Sequence, residues 1–310
     1  MRSYAPEIDV PAVLRAVERE VAHAVPDGAE VAGRVLQGLV PPAWALEWYL
    51  PWWLGQAFAL RQPLVHDLVR SNVLGLLSVR LSDDIADGDM DRVEIPVAHR
   101  VAAAAYEGAL AVYRARLATE DRFWSFLERS MGAWRTGSDG PNATSRGAPL
   151  KIAAYASCVL AGRPAAWPAL DRCLDHVLAA YVRYDQFCDW ESDLEAGRWN
   201  AFVDTVTQTG PRLRDPAHTR SAVLAAMLTT SVVDRWFQLI DADALRAHTA
   251  AREIGVIGLS DHLEDWATRT RGQGSDFDAH YRLAADRATE MMFGGALRAV
   301  VPAAPAVSTR

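Results

Sequence analysis

The chain has 310 residues, 50% of them hydrophobic and 23% charged, a balance that excludes intrinsic disorder, which needs low hydrophobicity and high charge. A formal charge of −7 argues against a nucleic-acid binder, which would present a basic face. No uninterrupted apolar run reaches the ~18 residues of a membrane span; the greasiest stretch, Leu50–Leu60, is short and carries Gln56.

Alanine, leucine and arginine are abundant and β-branched runs of period two are absent, so the chain reads as all-α. Helices are expected over residues 9–24, about 31–61, 64–87, 96–117, 120–136, 148–161, 167–197, 215–241, 243–270 and 276–300. Pro41-Pro42 and Pro51 should break the second of these. Loops are expected at Thr136–Gly147, Gly162-Arg163-Pro164, Gly210-Pro211 and Arg271–Asp276. No composition shift or fixed-period repeat divides the chain, so one domain over residues 1–300 is expected, with a disordered tail at 301–310. The N-terminus lacks the apolar core of a signal peptide. Cys158, Cys173 and Cys188 pair into no zinc or redox motif, and reduced buried thiols in the cytoplasm are expected. Of 32 basic residues only Lys151 is lysine.

Two acidic clusters stand out. The first, Asp83-Asp84-Ile85-Ala86-Asp87-Gly88-Asp89-Met90-Asp91, follows a segment, Val73–Val79, that is apolar on nearly all sides and should be buried. Asp83 and Asp87 fall at i, i+4 and share a helix face. Carboxylates near a helix C-terminus oppose its dipole, and magnesium is the hard cation that suits such oxygens. In the second cluster Asp185, Asp189 and Asp193 recur every four residues, a stack of like charges that a cation would relieve. A solvated acidic face is the plainer explanation for either cluster alone. A calcium-loop reading also fits part of the first: Asp83, Asp87, Gly88, Asp89, Asp91 and Glu94 fall at positions 1, 5, 6, 7, 9 and 12 of an EF-hand loop, with Ile85 where position 3 needs an oxygen.

Together the clusters resemble the class I terpenoid synthases and their relatives, the trans-prenyl diphosphate synthases and the squalene/phytoene synthases. Asp83, Asp84 and Asp87 match that superfamily's Asp-Asp-x-x-Asp, and Arg92 lies where the prenyl synthases carry an arginine pair. Gln186, Asp189 and Asp193 look like the second acidic motif of prenyl synthases, with Trp190 replacing one aspartate. Asp189, Asp193, Gly197 and Arg198 are similar to that of phytoene synthases. Asp185, Asp189 and Asp193 also have the spacing of the terpene cyclases' metal triad. Lys151 looks like the prenyl synthases' diphosphate-binding lysine. The resemblance covers roughly residues 70–200. It departs from the family in the missing Gly-Gly-Lys-Arg segment, in Arg92-Val93 for the arginine pair, and in the reversed Tyr281-Arg282.

The resemblance implies a single-domain helical bundle with the active-site cavity between helices, and two or three magnesium ions on Asp83, Asp84, Asp87, Asp185, Asp189 and Asp193. It implies a prenyl diphosphate substrate held by Lys151, Arg92, Gln186 and Arg198, and a homodimer by the family's habit. The catalytic set is Asp83, Asp84, Asp87, Asp189 and Asp193. The reaction expected is ionisation of an allylic prenyl diphosphate, the carbocation then cyclising or rearranging away from water. Aromatic faces would stabilise that cation; Trp44, Trp48, Trp52, Phe58 and Trp190 are the expected cavity lining. Chain elongation or head-to-head condensation is the alternative within the superfamily. A calcium-binding helical protein or a partner subunit is the alternative outside it.

Overall fold

Helix boundaries follow local stop signals. The computed structural model describes residues 8–137, 143–207 and 216–300, and every regular element among them is helical. α1 (Val10–Ala24) starts at Asp9, whose side chain accepts the Ala12 amide at 2.9 Å and satisfies one free N–H of the first turn. A 3-10 turn, Pro26–Gly28, leads into α2 (Ala29–Gly38), and the segment over Pro41-Pro42 separates it from α3 (Ala45–Ala57). Pro51, expected to break the helix, lies inside α3 instead. Proline has no amide to bond the Glu47 carbonyl one turn back. Asn72 of α4 (Gln62–Asp87) donates its side-chain amide to that carbonyl, so the kinked turn stays satisfied.

α4 ends at Gly88, whose φ of 77° forms the left-handed cap that glycine adopts most readily. There follow α5 (Ile95–Leu117), α6 (Asp121–Gly137), α7 (Ala143–Arg146), α8 (Leu150–Leu160), α9 (Trp167–Cys188) and α10 (Trp190–Glu195). The remainder are α11 (Ala201–Thr207), α12 (Pro216–Thr229), α13 (Val232–Glu253) and α14 (Ile257–Val300). The expected helix 167–197 is interrupted at Asp189. The break expected near residue 242 falls instead at Thr230-Ser231 and again at Ile254–Val256, and α13 is unbroken between them. The loop expected at Arg271–Asp276 is helical within α14. Its Gly274 permits close packing: a Cβ there would lie 2.5 Å from the Phe237 ring. Residues 138–142 of the expected Thr136–Gly147 loop, Gly210-Pro211 and the 301–310 tail lie outside the described residues.

The chain packs as two compact units, Met1–Ala179 with Asp243–Asp265, and Ala180–Ala242 with Trp266–Arg310. A single domain was expected; because each unit draws on two separate stretches, no linker or composition shift marks the division.

In the first unit α4 and α5 run antiparallel. Ser71 Oγ donates to the Ala109 carbonyl at 2.9 Å, and Arg116 meets Asp67 at 3.1 Å. Small residues on α5, Ala98, Ala105 and Ala109, allow this approach. α3 is apolar on nearly every side and is buried, with Trp48, Leu50 and Leu54 wholly inaccessible. A second part of this core joins α4, α5, α6 and α8 through Leu68, Tyr113, Phe123, Leu127 and Tyr155.

In the second unit the aromatic core is Phe187, Phe202, Trp236 and Phe237, with the exposed Phe277 set edge-on to Phe187. Trp236 Nε1 donates to the Arg183 carbonyl at 3.0 Å, and Tyr181 stacks on Trp266 with centroids 4.5 Å apart. No single described helix is long and apolar enough to cross a membrane.

Candidate functional site

One face of α4 lines a cavity of about 250 Å³ in the first unit. Ser71, Asn72, Gly75, Leu76, Val79, Arg80 and Asp83 form the stripe. Their spacing of three and four, plus immediate neighbours, keeps them on one side of the helix. From Ser71 to Asp83 the stripe runs about 18 Å, at 1.5 Å per residue. Across from it, α5 contributes Tyr106, Leu110 and Tyr113, α6 Leu127 and Met131, and α8 Leu150 and Ile152. Trp44 and Glu47 come from the start of α3, Arg146 from the end of α7, and Leu178 from α9.

The two ends of the stripe differ in character. At one end Asp83 shares the wall with Arg80 and Arg146. Burial pushes the Asp83 carboxyl up to about 6; Asp87 and Asp84 push the same way, while Arg80 and Arg146 oppose them. Asp84 Oδ1 lies 2.7 Å from Arg80 Nη2, close in charge but out of hydrogen-bond alignment. Burial raises its carboxyl too, against the pull of Arg80. Asp87, in the last turn, is exposed. Arg146 acts on Asp83 through its charge and brings a second guanidinium to this end of the cavity wall.

The other end is polar and nearly self-satisfied. Ser71 donates to Ala109, the Tyr113 hydroxyl bonds Ser71, and Asn72 donates to the Glu47 carbonyl. Burial holds Tyr113 up at about 12. Glu47 is different: its carboxyl has no partner among the described residues but its own backbone amide, and burial pushes it up to about 7.

Of the expected lining aromatics, only Trp44 borders this cavity. Trp48 is fully buried and donates from Nε1 to the Leu39 carbonyl at 2.6 Å. Trp52 sets its ring edge against His66, and Phe58 is buried with the Arg163 guanidinium 5.8 Å over its ring. Trp190 is core in the second unit. Because α3 is buried on several sides, a shared helix face did not decide which ring met the cavity. With Trp44, the aromatic wall is made by Tyr106 and Tyr113 of α5.

The residues expected to hold diphosphate fall in different places. Lys151 is 8% exposed and its ammonium lies 2.6 Å from Asp171 and 2.5 Å from Asp175. It does not line the cavity, and its charge is matched by these two carboxylates. Arg92 is exposed between α4 and α5 and does not line it either. The arginines that do line it are Arg80 and Arg146. Arg80 was legible, standing three and four residues before the aspartate pair; Arg146 belongs to a stretch read only as loop.

The second cluster, in its own unit, is organised by Asn200. That side chain accepts the Phe202 and Val203 amides, capping α11, and donates to the Gln186 carbonyl and to Asp193 Oδ2 at 2.8 Å each. Arg198 Nε donates to Asp193 Oδ1 at 3.0 Å. Asp193 is thus a structural acceptor, Gln186 is buried, and Asp185 and Asp189 are exposed. Asp189 stands at the break between α9 and α10.

The calcium-loop geometry is not met. Positions 1 to 5 are helical within α4, Gly88 caps that helix, and Glu94 is held by Arg34 at 2.6 Å. Magnesium fits the donors better. It keeps most of its water and needs only one or two carboxylates beside substrate phosphates, which Asp83 and Asp87 on one face of α4 can supply. Among the described residues no group of three or more His, Cys, Asp or Glu converges as a preformed metal cage.

No family model, no curated protein and no solved structure matches the chain.

Proposed function

We propose that the chain is a magnesium-dependent class I terpene synthase that ionises an allylic prenyl diphosphate in the α4 cavity. One observation carries the reading: a partly open cavity whose middle is lined by Leu76, Val79, Leu110 and Met131 has at one end the Asp83 carboxylate beside two arginines, Arg80 and Arg146. That is the complement of a molecule with an anionic head and a hydrocarbon tail. Arg146 and Arg80 would take the diphosphate oxygens by charged hydrogen bonds. Asp83 and Asp87 would hold magnesium, which supplies the positive charge that lets diphosphate leave. Leu76, Val79, Leu110 and Met131 exclude water from the cation, and the faces of Tyr106 and Tyr113 stabilise it. The departing diphosphate takes the C–O bonding pair, leaving the allylic cation to rearrange.

A volume of about 250 Å³ is below the ~300–1,000 Å³ of ordinary ligand pockets, which favours ten- or fifteen-carbon substrates. Lys151, engaged by Asp171 and Asp175, favours one diphosphate over two. Asp189 is kept as a magnesium ligand on the family resemblance alone. The test is incubation with magnesium and ten-, fifteen-, twenty- or twenty-five-carbon allylic diphosphates, each with and without isopentenyl diphosphate. A rearranged or cyclic product from a short allylic substrate alone supports the reading. A longer prenyl diphosphate made only with isopentenyl diphosphate assigns the cavity to chain elongation. Asp189→Ala tests the second acidic motif by itself: a fall in turnover supports the resemblance there, and full activity removes it.

A further inference from the structure

We propose that Glu47 is the proton acceptor that ends the reaction, at the end of the cavity away from Asp83. The inference rests on the terpene synthase reading and names a residue that neither acidic motif includes.

The placement is geometric. Asn72 donates to the Glu47 carbonyl, which fixes Glu47 beside the start of the α4 stripe. Asp83 lies eleven residues further along α4, about 16 Å at 1.5 Å per residue. A substrate whose diphosphate sits at Arg80, Asp83 and Arg146 therefore extends its hydrocarbon toward Glu47. Pro51 builds this corner: it frees the Glu47 carbonyl, and the bond from Asn72 ties α3 to α4 there.

The other polar groups of that end have partners. Ser71, Asn72 and Tyr113 bond to the protein, while among the described residues the Glu47 carboxyl meets only its own amide. A buried carboxyl without a cation is costly unless it has a use. The remaining ionisable groups on the wall are Arg80 and Asp83 of α4, Tyr106 and Tyr113 of α5, and Arg146 of α7; α6, α8 and α9 contribute none. Burial, not a charged neighbour, raises the Glu47 carboxyl to about 7, close to the pH at which a general base is most effective.

The step balances. After diphosphate has left with the C–O electrons, a C–H bond next to the cationic carbon breaks. Its electron pair forms the new C=C, and its proton passes to a Glu47 carboxylate oxygen. The proton returns to water when product leaves.

The experiment compares wild type with Glu47→Gln on the allylic substrate that wild type turns over, measuring released diphosphate and the ratio of olefin to alcohol products. Glu47→Gln should keep releasing diphosphate while olefin formation falls about 10²-fold, with water-captured alcohols or altered skeletons in its place. An unchanged olefin yield overturns the role. A second reading needs no variant: in wild type the olefin share should rise with pH through about 7, because only the carboxylate accepts a proton. A pH-independent ratio overturns the role equally. If wild type releases no diphosphate from any allylic substrate, the terpene synthase reading itself falls, a result separate from either of these.

Discussion

At Lys151 the ammonium sits between Asp171 and Asp175, a placement that rarity of type could not reveal. A lone lysine in an arginine-rich chain invites a functional reading, yet a compact ammonium also suits a tight place between two carboxylates. Lys151→Met strands both acids, so it should cost about 2 kcal/mol of stability in urea unfolding and leave the KM for an allylic diphosphate unchanged. A raised KM with unchanged stability would return Lys151 to the diphosphate. Glu47 was invisible for the opposite reason: a single glutamate in an apolar helix forms no motif. Its carboxyl titrates near 7 folded against an ordinary 4.5. Between those values the native state binds the extra proton, so stability falls as pH rises through that window. Glu47→Gln should therefore exceed wild type by up to about 3 kcal/mol at pH 8 and come close to it at pH 4. The same stability difference at both pH values would contradict the burial.

Among the elements, the long amphipathic and apolar runs were readable, and α1, α4, α5 and α6 fall within a few residues of their expected places. The errors cluster where tertiary packing overrode a local signal. Pro51 was read as a break because its missing amide is local, while the Asn72 donor that compensates lies on another helix. Arg271–Asp276 was read as a loop from its two glycines, but Gly274 is small because Phe237 lies against it. Helix propensity alone predicts that Gly274→Ala stabilises by about 1 kcal/mol. The packing predicts a loss of about 1–3 kcal/mol, which denaturant unfolding separates by sign. α11 was missed because its organiser, Asn200, gathers partners from Gln186, Asp193, Phe202 and Val203.

For the whole molecule, the all-helical class was legible, since period-two strands were absent and helical runs filled the chain. The two units were not, because neither is one continuous stretch of sequence. The first acidic motif was found from spacing, and the structure sets its Asp83 on a cavity wall. Arg80 was legible beside it on α4, whereas Arg146 and the two tyrosines needed coordinates, because they come from helices far from α4 in sequence. One assay reaches that wall directly. Diphosphate release from the fifteen-carbon allylic diphosphate would be followed at saturating magnesium for wild type, Asp83→Asn and Arg146→Ala. Release by wild type, a fall of about 10²-fold or more in Asp83→Asn and a raised KM in Arg146→Ala are predicted. Equal release from all three proteins, or none from wild type, would contradict the assignment of this cavity to diphosphate ionisation.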